Sequence, residues 1–281
     1  MEFITDPAAA SEWSAQQRRK GSTVGFVPTM GALHAGHMSL IAKAKGVHRS
    51  VACSIFVNPL QFNNQEDLAK YPRQPRVDRE LVAEARCDML FAPESERIYE
   101  GHTTRHYDLG GLDTVLEGTS RPGHFQGVVN VVERLFHYVR PDAAYFGEKD
   151  RQQLTVLRYA ARAERWPETL VGCATVRDSD GLALSSRNQR LSSGERQQAT
   201  VLFKALTQVA TMAFKVPVAE ARNMGIQTLV QEPAVRIDHL EIVDIATMRP
   251  IREWGDRAEA LAVIAAFVGP VRLIDNITLR R

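Results

Sequence analysis

The stretch GFVPTMGALHAGH, residues 25–37, decides the fold of this chain. An apolar run at residues 23–27 leads into its proline and glycines, and an amphipathic run at residues 38–45 follows its second histidine. This order predicts a strand, a tight loop and a helix, with His34 and His37 at the helix N-terminus. A phosphate there would meet backbone N–H groups and two imidazole donors. The stretch therefore predicts an enzyme that acts on a nucleoside triphosphate.

Two histidines three residues apart at a helix start also suit two simpler roles, capping of the helix and ligation of a structural metal. No further cysteine or aspartate lies nearby at zinc-site spacing, which disfavours the metal. The stretch has no Walker lysine and no GxGxxG pattern, so neither the P-loop nor the dinucleotide fingerprint explains it. Phosphate binding and helix capping both stay open on this local pattern.

Composition restricts the class of protein. The chain has 281 residues, with 35 basic and 33 acidic side chains and a net charge of +2, so we expect no nucleic-acid partner. The longest apolar stretch, residues 261–268, is too short to span a bilayer, so we expect no membrane association. Cys53, Cys87 and Cys173 lie in apolar runs, which predicts buried, reduced thiols and a cytoplasmic location.

Short apolar strands alternate with helical patterns from residue 23 to about residue 176. Such alternation predicts an α/β fold with a doubly wound parallel sheet, which binds ligands at the carboxyl ends of its strands. The predicted strands are residues 23–27, 51–57, 89–92, 143–146 and 170–174. The predicted helices are residues 38–45, 78–85, 125–139 and 152–164. The third helix is predicted to bury a stripe at helical spacing, namely Val128, Val131, Val132, Leu135 and Phe136.

The alternation of strands and helices ends near residue 176. Helical patterns at residues 195–214 and 219–231 are followed by strand patterns at residues 236–244, 261–268 and 271–276. Helices followed by consecutive strands predict a smaller α+β domain. We therefore expect two domains, residues 1–175 and residues 176–281.

Polar residues follow several of the predicted strands. Asn58 and Gln61 come after the second strand, where they suit either turn chemistry or the binding of a hydroxyl-bearing acid by neutral amides. Lys149 and Asp150 come after the fourth strand. Asp150 suits a helix cap or a ribose contact, and Lys149 suits charge neutralisation on a triphosphate.

The loop at residues 178–193 carries the sequence Ser185-Ser186-Arg187-Asn188. On its own this is a common surface turn. Two hydroxyls and a guanidinium also suit a departing pyrophosphate, where charge accumulates in the transition state. Further back, His124 at the start of the long helix suits a cap or a substrate contact.

Together these segments resemble the HxGH nucleotidyltransferase superfamily and, more narrowly, the pantoate–β-alanine ligase family. The resemblance rests on PTMGALHxGH from residue 28, NPxQF from residue 58, GEKDxQQ from residue 147 and SSRN from residue 185. It implies a Rossmann-like fold. It also implies the ATP-dependent condensation of (R)-pantoate with β-alanine through a pantoyl adenylate, with release of AMP and pyrophosphate.

The resemblance also implies a role for each matched residue. The implied catalytic residues are His34, His37, Lys149, Ser185, Ser186 and Arg187. The implied ATP-binding residues are these six together with Pro28, Thr29, Met30, Gly147, Asp150 and Val176. The implied pantoate-binding residues are Asn58, Gln61 and Gln153. The resemblance further implies Mg²⁺ as cofactor with Asp78 as its ligand, a lid at the SSRN loop, and a homodimer.

Two rival functions stay open on the sequence. One is another HxGH nucleotidyltransferase, which would transfer AMP to a phosphorylated cofactor precursor or to an amino acid. The Asn58–Gln61 pair and the lack of a tRNA-binding domain argue against it. The other is a non-catalytic ATP-binding homologue. That role predicts loss of the phosphate-contacting residues, and all of them are present.

Overall fold

The computed structural model describes all 281 residues. The chain divides into two compact units. The first comprises Met1–Glu148 and Gln152–Ala174, and the second comprises Lys149–Arg151 and Thr175–Arg281. No helix combines the length and apolar character that crossing a membrane requires.

The first unit is built on a six-stranded sheet in which every pairing is parallel. Its strands are β1 (Glu2–Ile4), β2 (Val24–Thr29), β3 (Ser50–Ile55), β4 (Met89–Phe91), β5 (Ala143–Gly147) and β6 (Thr169–Cys173). Their order is β1-β4-β3-β2-β5-β6, so the winding direction reverses between β2 and β5. Ligands of doubly wound sheets bind at this switch point, beyond the carboxyl ends of the strands.

Helices connect the parallel strands. They are α1 (Pro7–Arg19), α2 (Ala35–Lys45), α3 (Gln65–Ala69), α4 (Pro75–Glu84), α5 (Ser95–Ile98), α6 (Glu117–Ser120), α7 (His124–Val139) and α8 (Arg151–Ala163). Two 3-10 helices, Pro59–Gln61 and Glu148–Asp150, follow β3 and β5. All five residues of the predicted stripe on α7 are buried, which confirms that helix and its orientation.

The five strands predicted before residue 176 are confirmed as a parallel sheet, but the sixth, β1, is missing from the prediction. This strand is only three residues long and pairs with β4 alone, at the edge of the sheet. An edge strand of this length is too short to show an alternating pattern. The three cysteines are buried and free, as predicted.

The second unit is an α+β fold, as predicted. Its helices are α9 (Ser193–Gln198), α10 (Val201–Met212) and α11 (Val218–Val230), and a 3-10 helix spans Ser186–Arg190. Its strands are β7 (Val235–Val243), β8 (Glu259–Val268) and β9 (Val271–Arg280), which form an antiparallel sheet in that order. Apolar side chains of α10, including Leu202, Leu206 and Val209, pack in one core with the sheet.

The single helix predicted at residues 195–214 is wrong, because the structure has α9 and α10 with a joint at Ala199-Thr200. Both the backbone N–H and the hydroxyl of Thr200 donate to the carbonyl of Gln197, at 3.2 and 2.7 Å. A threonine that bonds three residues back tightens the turn and interrupts the regular helix ladder. The apolar periodicity continues across the joint, so the pattern alone does not reveal it.

Candidate active site

The loop after β2 is a tight turn in which two consecutive residues have a positive φ. Gly31 and Ala32 both lie in the left-handed region, with φ of +80° and +49°. The hydroxyl of Thr29 accepts from Gly31 N–H at 3.2 Å and donates to the carbonyl of Ser54 at 2.6 Å. A Cβ on Gly31 would lie 2.9 Å from Oδ2 of Asp78, so only glycine fits the turn without a shift.

Asp78, on the first turn of α4, holds this loop in place through two hydrogen bonds. Its Oδ2 accepts from Ala32 N–H at 2.9 Å, and its Oδ1 accepts from Leu33 N–H at 2.7 Å. The residue is only 1% exposed. A carboxylate that binds two backbone amides satisfies donors that would otherwise be buried without partners. The role of Asp78 as a metal ligand stays a prediction, and its contacts give it a structural task.

His34 is the N-cap residue of α2, His37 lies in its first turn, and both side chains accept hydrogen bonds from backbone N–H groups at this helix end. Nδ1 of His34 accepts from Gly36 N–H at 3.2 Å, and Nδ1 of His37 accepts from the backbone N–H of His34 at 3.3 Å. The two rings lie with centroids 4.1 Å apart. A backbone N–H can only donate, so each neutral ring must carry its hydrogen on Nε2. Capping is therefore confirmed, and it also fixes the tautomer that a phosphate-binding donor needs.

Asn58 and Gln61 lie in the turn that follows β3, and both are almost fully buried, at 1% and 6% exposed. Asn58 Oδ1 accepts from Leu60 N–H at 3.3 Å, so the side chain caps the 3-10 helix. Its Nδ2 donates to Gln61 Oε1 at 3.4 Å, and Gln61 Nε2 lies 2.7 Å from the sulfur of Met30. The structure thus brings together two predicted pantoate-binding residues and one predicted ATP-binding residue.

His124 fixes the backbone of Gln61. Its Nδ1 lies 2.8 Å from the Gln61 carbonyl, and its Nε2 lies 3.0 Å from Nη1 of Arg121. Arginine can only donate, so Nε2 accepts and Nδ1 carries the hydrogen that binds Gln61. The capping role considered for His124 is wrong, because the N-cap of α7 is Gly123, in the left-handed conformation.

The segment after β5 contains Lys149, whose side chain and backbone both have polar neighbours. Lys149 is 17% exposed, its Nζ lies 3.6 Å from Oδ1 of Asp150, and its carbonyl accepts from Nδ2 of Asn276 on β9 at 2.8 Å. Asn276 therefore holds the backbone of the predicted catalytic lysine, and the sequence carries no sign of this. Gly147 ends β5, and Gln153 lies half-buried on α8.

The two neighbouring glutamines of α8 differ in their surroundings. Gln152 is buried, where it donates to the carbonyls of Leu112 and Val115 and accepts from Glu117 N–H. It holds the turn before α6. Because consecutive helix residues point in different directions, Gln153 stays available for the predicted pantoate contact.

The Ser185–Arg187 loop is ordered by its own side chains. Oγ of Ser185 accepts from Arg187 N–H at 3.2 Å and caps the 3-10 helix that follows. The carbonyl of Val176 accepts from Leu184 N–H at 3.0 Å. Arg196 binds Asp178 and Asp180, each at 2.7 Å, and its hydrogen bond lowers the pKa of Asp180. Two hydroxyls and a guanidinium thus share one short turn.

The doubly wound sheet and the two histidines at the start of α2, the helix at the switch point, are typical of an HxGH-type nucleotidyltransferase. The family model described as Pantoate-beta-alanine ligase matches residues 2–278. The chain belongs to the pantoate–β-alanine ligase family. It is an ATP-dependent ligase that condenses pantoate with β-alanine through a pantoyl adenylate and releases AMP and pyrophosphate.

Individual relatives agree with the family model. The chain is 45% identical to the pantothenate synthetase of Cytophaga hutchinsonii over 267 residues, 94% of each protein. It matches the crystal structure of pantothenate synthetase from Thermus thermophilus with a TM-score of 0.92 and 46% identity over 99% of both chains. The ligase of Francisella tularensis, complexed with beta-gamma ATP and β-alanine, matches with a TM-score of 0.79 and 32% identity over 99% and 97% of the two chains.

Proposed function

We propose that the first unit carries the ATP- and pantoate-binding residues of the turns after β2 and β3, and that the second unit carries Lys149 and the SSRN lid loop. The two Nε2–H groups fixed by the histidine cap carry this proposal, because they give a helix N-terminus two oriented donors for phosphate oxygens. Contacts to ATP are assigned to Pro28, Thr29, Met30, His34, His37, Gly147, Lys149, Asp150, Val176, Ser185, Ser186 and Arg187.

The first step joins two anions. The carboxylate oxygen of pantoate attacks the α-phosphorus of ATP in line, the bond to the bridging oxygen breaks, and pyrophosphate leaves with the electron pair. The protein has little covalent chemistry to do in such a step and must mainly orient the reactants and stabilise charge. His34 and His37 donate to the phosphates, while Lys149, Ser185, Ser186 and Arg187 stabilise the pyrophosphate as its charge grows.

The pantoate site is built from neutral amides. Asn58, Gln61 and Gln153 offer hydrogen bonds to the hydroxyls and the carboxylate of the substrate without a full positive charge. An arginine at this place would stabilise the carboxylate ground state and lower its nucleophilicity. Neutral donors orient the attacking oxygen and leave its electron density available for the phosphorus.

In the second step the amine of β-alanine attacks the acyl carbon of the adenylate. The new C–N bond forms, the acyl–oxygen bond breaks, AMP leaves, and the amine proton passes to water or phosphate. We assign no side chain as a general base. The enzyme accelerates this step by orienting an amine that is already neutral. Exclusion of water by the SSRN lid prevents hydrolysis of the adenylate.

Magnesium enters this scheme with the nucleotide. No group of three or more histidine, cysteine, aspartate or glutamate side chains is arranged to hold a metal ion. Mg²⁺ is bound in many ATP-dependent enzymes through substrate phosphates and one or two carboxylates, so here the nucleotide would supply most of its ligands. When bound, Mg²⁺ neutralises phosphate charge. Asp78 remains the carboxylate proposed to approach it.

Replacing Asp78 with asparagine separates its two roles. The variant turns an NH₂ group toward Ala32 or Leu33 N–H, so one buried amide loses its acceptor and we expect a loss of about 1–3 kcal/mol in unfolding free energy. Urea unfolding of both proteins in metal-free buffer measures this. A structural role leaves the Mg²⁺ concentration for half-maximal activity unchanged. Unchanged stability with a raised Mg²⁺ requirement would make Asp78 a metal ligand and not a brace.

We also propose that the chain works as a homodimer in the cytoplasm. The dimer follows from the family resemblance, and the cytoplasmic location is supported by three free, buried cysteines, which suit a reducing compartment. Sedimentation equilibrium would give the mass of two chains. A single-chain mass at working concentrations would contradict the dimer.

Product analysis tests the proposed chemistry. The enzyme is incubated with ATP, pantoate, β-alanine and Mg²⁺, and the nucleotides and acids are separated by chromatography. We expect equal amounts of pantothenate, AMP and pyrophosphate. Formation of ADP and phosphate would mean an acyl phosphate and would overturn the adenylate assignment. Full activity of Gln61→Ala at low pantoate concentration would remove the amide site.

A further inference from the structure

Tyr99 touches the proposed pantoate site but has no role in the scheme above. It follows α5 directly, and its hydroxyl lies 3.0 Å from Oδ1 of Asn58. Its ring lies tilted against that of Phe56, with centroids 6.4 Å apart, and stacked near that of His102, also at 6.4 Å. Contacts to two rings hold the phenol in place, so the position of its hydroxyl is fixed by packing and not by the substrate.

The orientation of the Asn58 amide follows from partners that can bond in only one direction. Leu60 N–H can only donate, and it points at Oδ1, at 3.3 Å. The carbonyl of Gly127 can only accept, and it lies 3.0 Å from Nδ2. Oδ1 is therefore the acceptor, and the Tyr99 hydroxyl must donate to it. Burial raises the pKa of the Tyr99 hydroxyl well above its usual value, so it stays a donor at working pH.

The orientation of the Asn58 amide in turn determines the orientation of the Gln61 amide. The second hydrogen of Asn58 Nδ2 points at Gln61 Oε1, at 3.4 Å. Gln61 thus has its oxygen turned toward Asn58 and its Nε2 turned toward Met30. The NH₂ group of Gln61, and not its oxygen, is thus the end that faces Met30, a predicted ATP-binding residue. A donor suits the carboxylate and hydroxyl oxygens of pantoate.

We propose that Tyr99 is a positioning residue for pantoate, whose hydroxyl acts together with Leu60 N–H and the Gly127 carbonyl to hold Asn58 in the orientation that keeps the NH₂ group of Gln61 for the substrate. This inference rests on the proposed role of Gln61 in pantoate binding. Tyr99 does not touch the substrate. It acts through hydrogen bonds that run from Tyr99 to Asn58 and from Asn58 to Gln61. In each of these bonds the direction of donation is fixed by the bond before it.

Tyr99→Phe removes the hydroxyl and keeps the packed ring. We expect the KM for pantoate to rise about five- to tenfold, the size of one lost oriented hydrogen bond. The KM values for ATP and β-alanine and the kcat at saturating pantoate should stay unchanged. Tyr107→Phe is the matched control, because this buried tyrosine binds Glu133 and Arg105 through its hydroxyl and makes no hydrogen bond to Asn58. It should leave the KM for pantoate unchanged.

A double-mutant cycle with Gln61→Ala makes the test decisive. If Tyr99 acts through Gln61, then Tyr99→Phe changes the KM for pantoate less than about twofold once Gln61 is alanine. Additive effects, or a rise in all three KM values together, would show a general structural role and overturn the inference. If Gln61→Ala raises the KM while Tyr99→Phe does not, the pantoate site stands and the positioning role fails. If Gln61→Ala has no effect, the proposed function of Gln61 fails first.

Discussion

Lys149→Met lowers kcat/KM for pantothenate formation by about 10²–10³, the loss expected when one transition-state charge partner is removed. In the proposed mechanism the ammonium group neutralises charge that grows on the pyrophosphate, and methionine keeps the apolar stem without that charge. The KM for pantoate should stay near its normal value, since the pantoate amides lie on other elements. Steady-state kinetics under saturating Mg²⁺ and β-alanine measure both quantities.

Lys204→Met is the matched control for this variant. Lys204 lies exposed on α10 of the same unit, away from the predicted site residues, and its loss should leave kcat/KM unchanged. A Lys149→Met enzyme with full activity would remove the lysine from the mechanism. An equal loss of kcat/KM in Lys204→Met would also remove Lys149 from the mechanism, because the loss would then reflect the total charge of the unit.

His34→Ala is expected to lower kcat/KM by a similar factor of about 10²–10³ and, separately, to lower the unfolding free energy by about 1 kcal/mol. The variant loses the Nε2–H donor for phosphate and also the cap on Gly36 N–H. Kinetics and urea unfolding follow the two losses independently.

His34→Asn distinguishes the cap from the donor. Asparagine is a favourable N-cap whose oxygen can accept from Gly36 N–H, but its short side chain doesn't reach as far as imidazole Nε2. We expect nearly normal stability and a rate as low as that of His34→Ala. A normal rate for His34→Asn would show that the histidine serves the helix alone, and phosphate binding would then have to come from other groups.

The loop between β2 and α2 was predictable because the residues that determine it are close together in sequence. The order of strand, glycines, histidines and amphipathic run lies within about twenty residues, and β2 and α2 form where that order predicts. The same holds for the buried stripe of α7, which shows a full helical period. Local periodicity did not reveal β1, with three residues, or the joint between α9 and α10, where one threonine interrupts the backbone ladder.

The hydrogen bonds that hold the site residues in place were not predictable, because the residues that make them are far apart in sequence. Asp78 binds amides 45 and 46 residues away, and Tyr99 reaches Asn58 across 41 residues. Asn276 holds the carbonyl of Lys149 across 127 residues. A single sequence shows, through its motifs, which residues are predicted to contact the substrate. It does not show which distant side chain orients them, since that depends on how the strands and helices pack.

Isotope exchange between labelled pyrophosphate and ATP, in the presence of Mg²⁺ and pantoate but without β-alanine, tests the central claim most directly. The enzyme should return label to ATP only when pantoate is present, because reversal of the first step needs a pantoyl adenylate. Exchange that proceeds with another acid or a phosphorylated acceptor but not with pantoate would contradict the ligase mechanism. Absence of exchange with every acceptor, in a protein that still binds ATP, would contradict catalysis altogether.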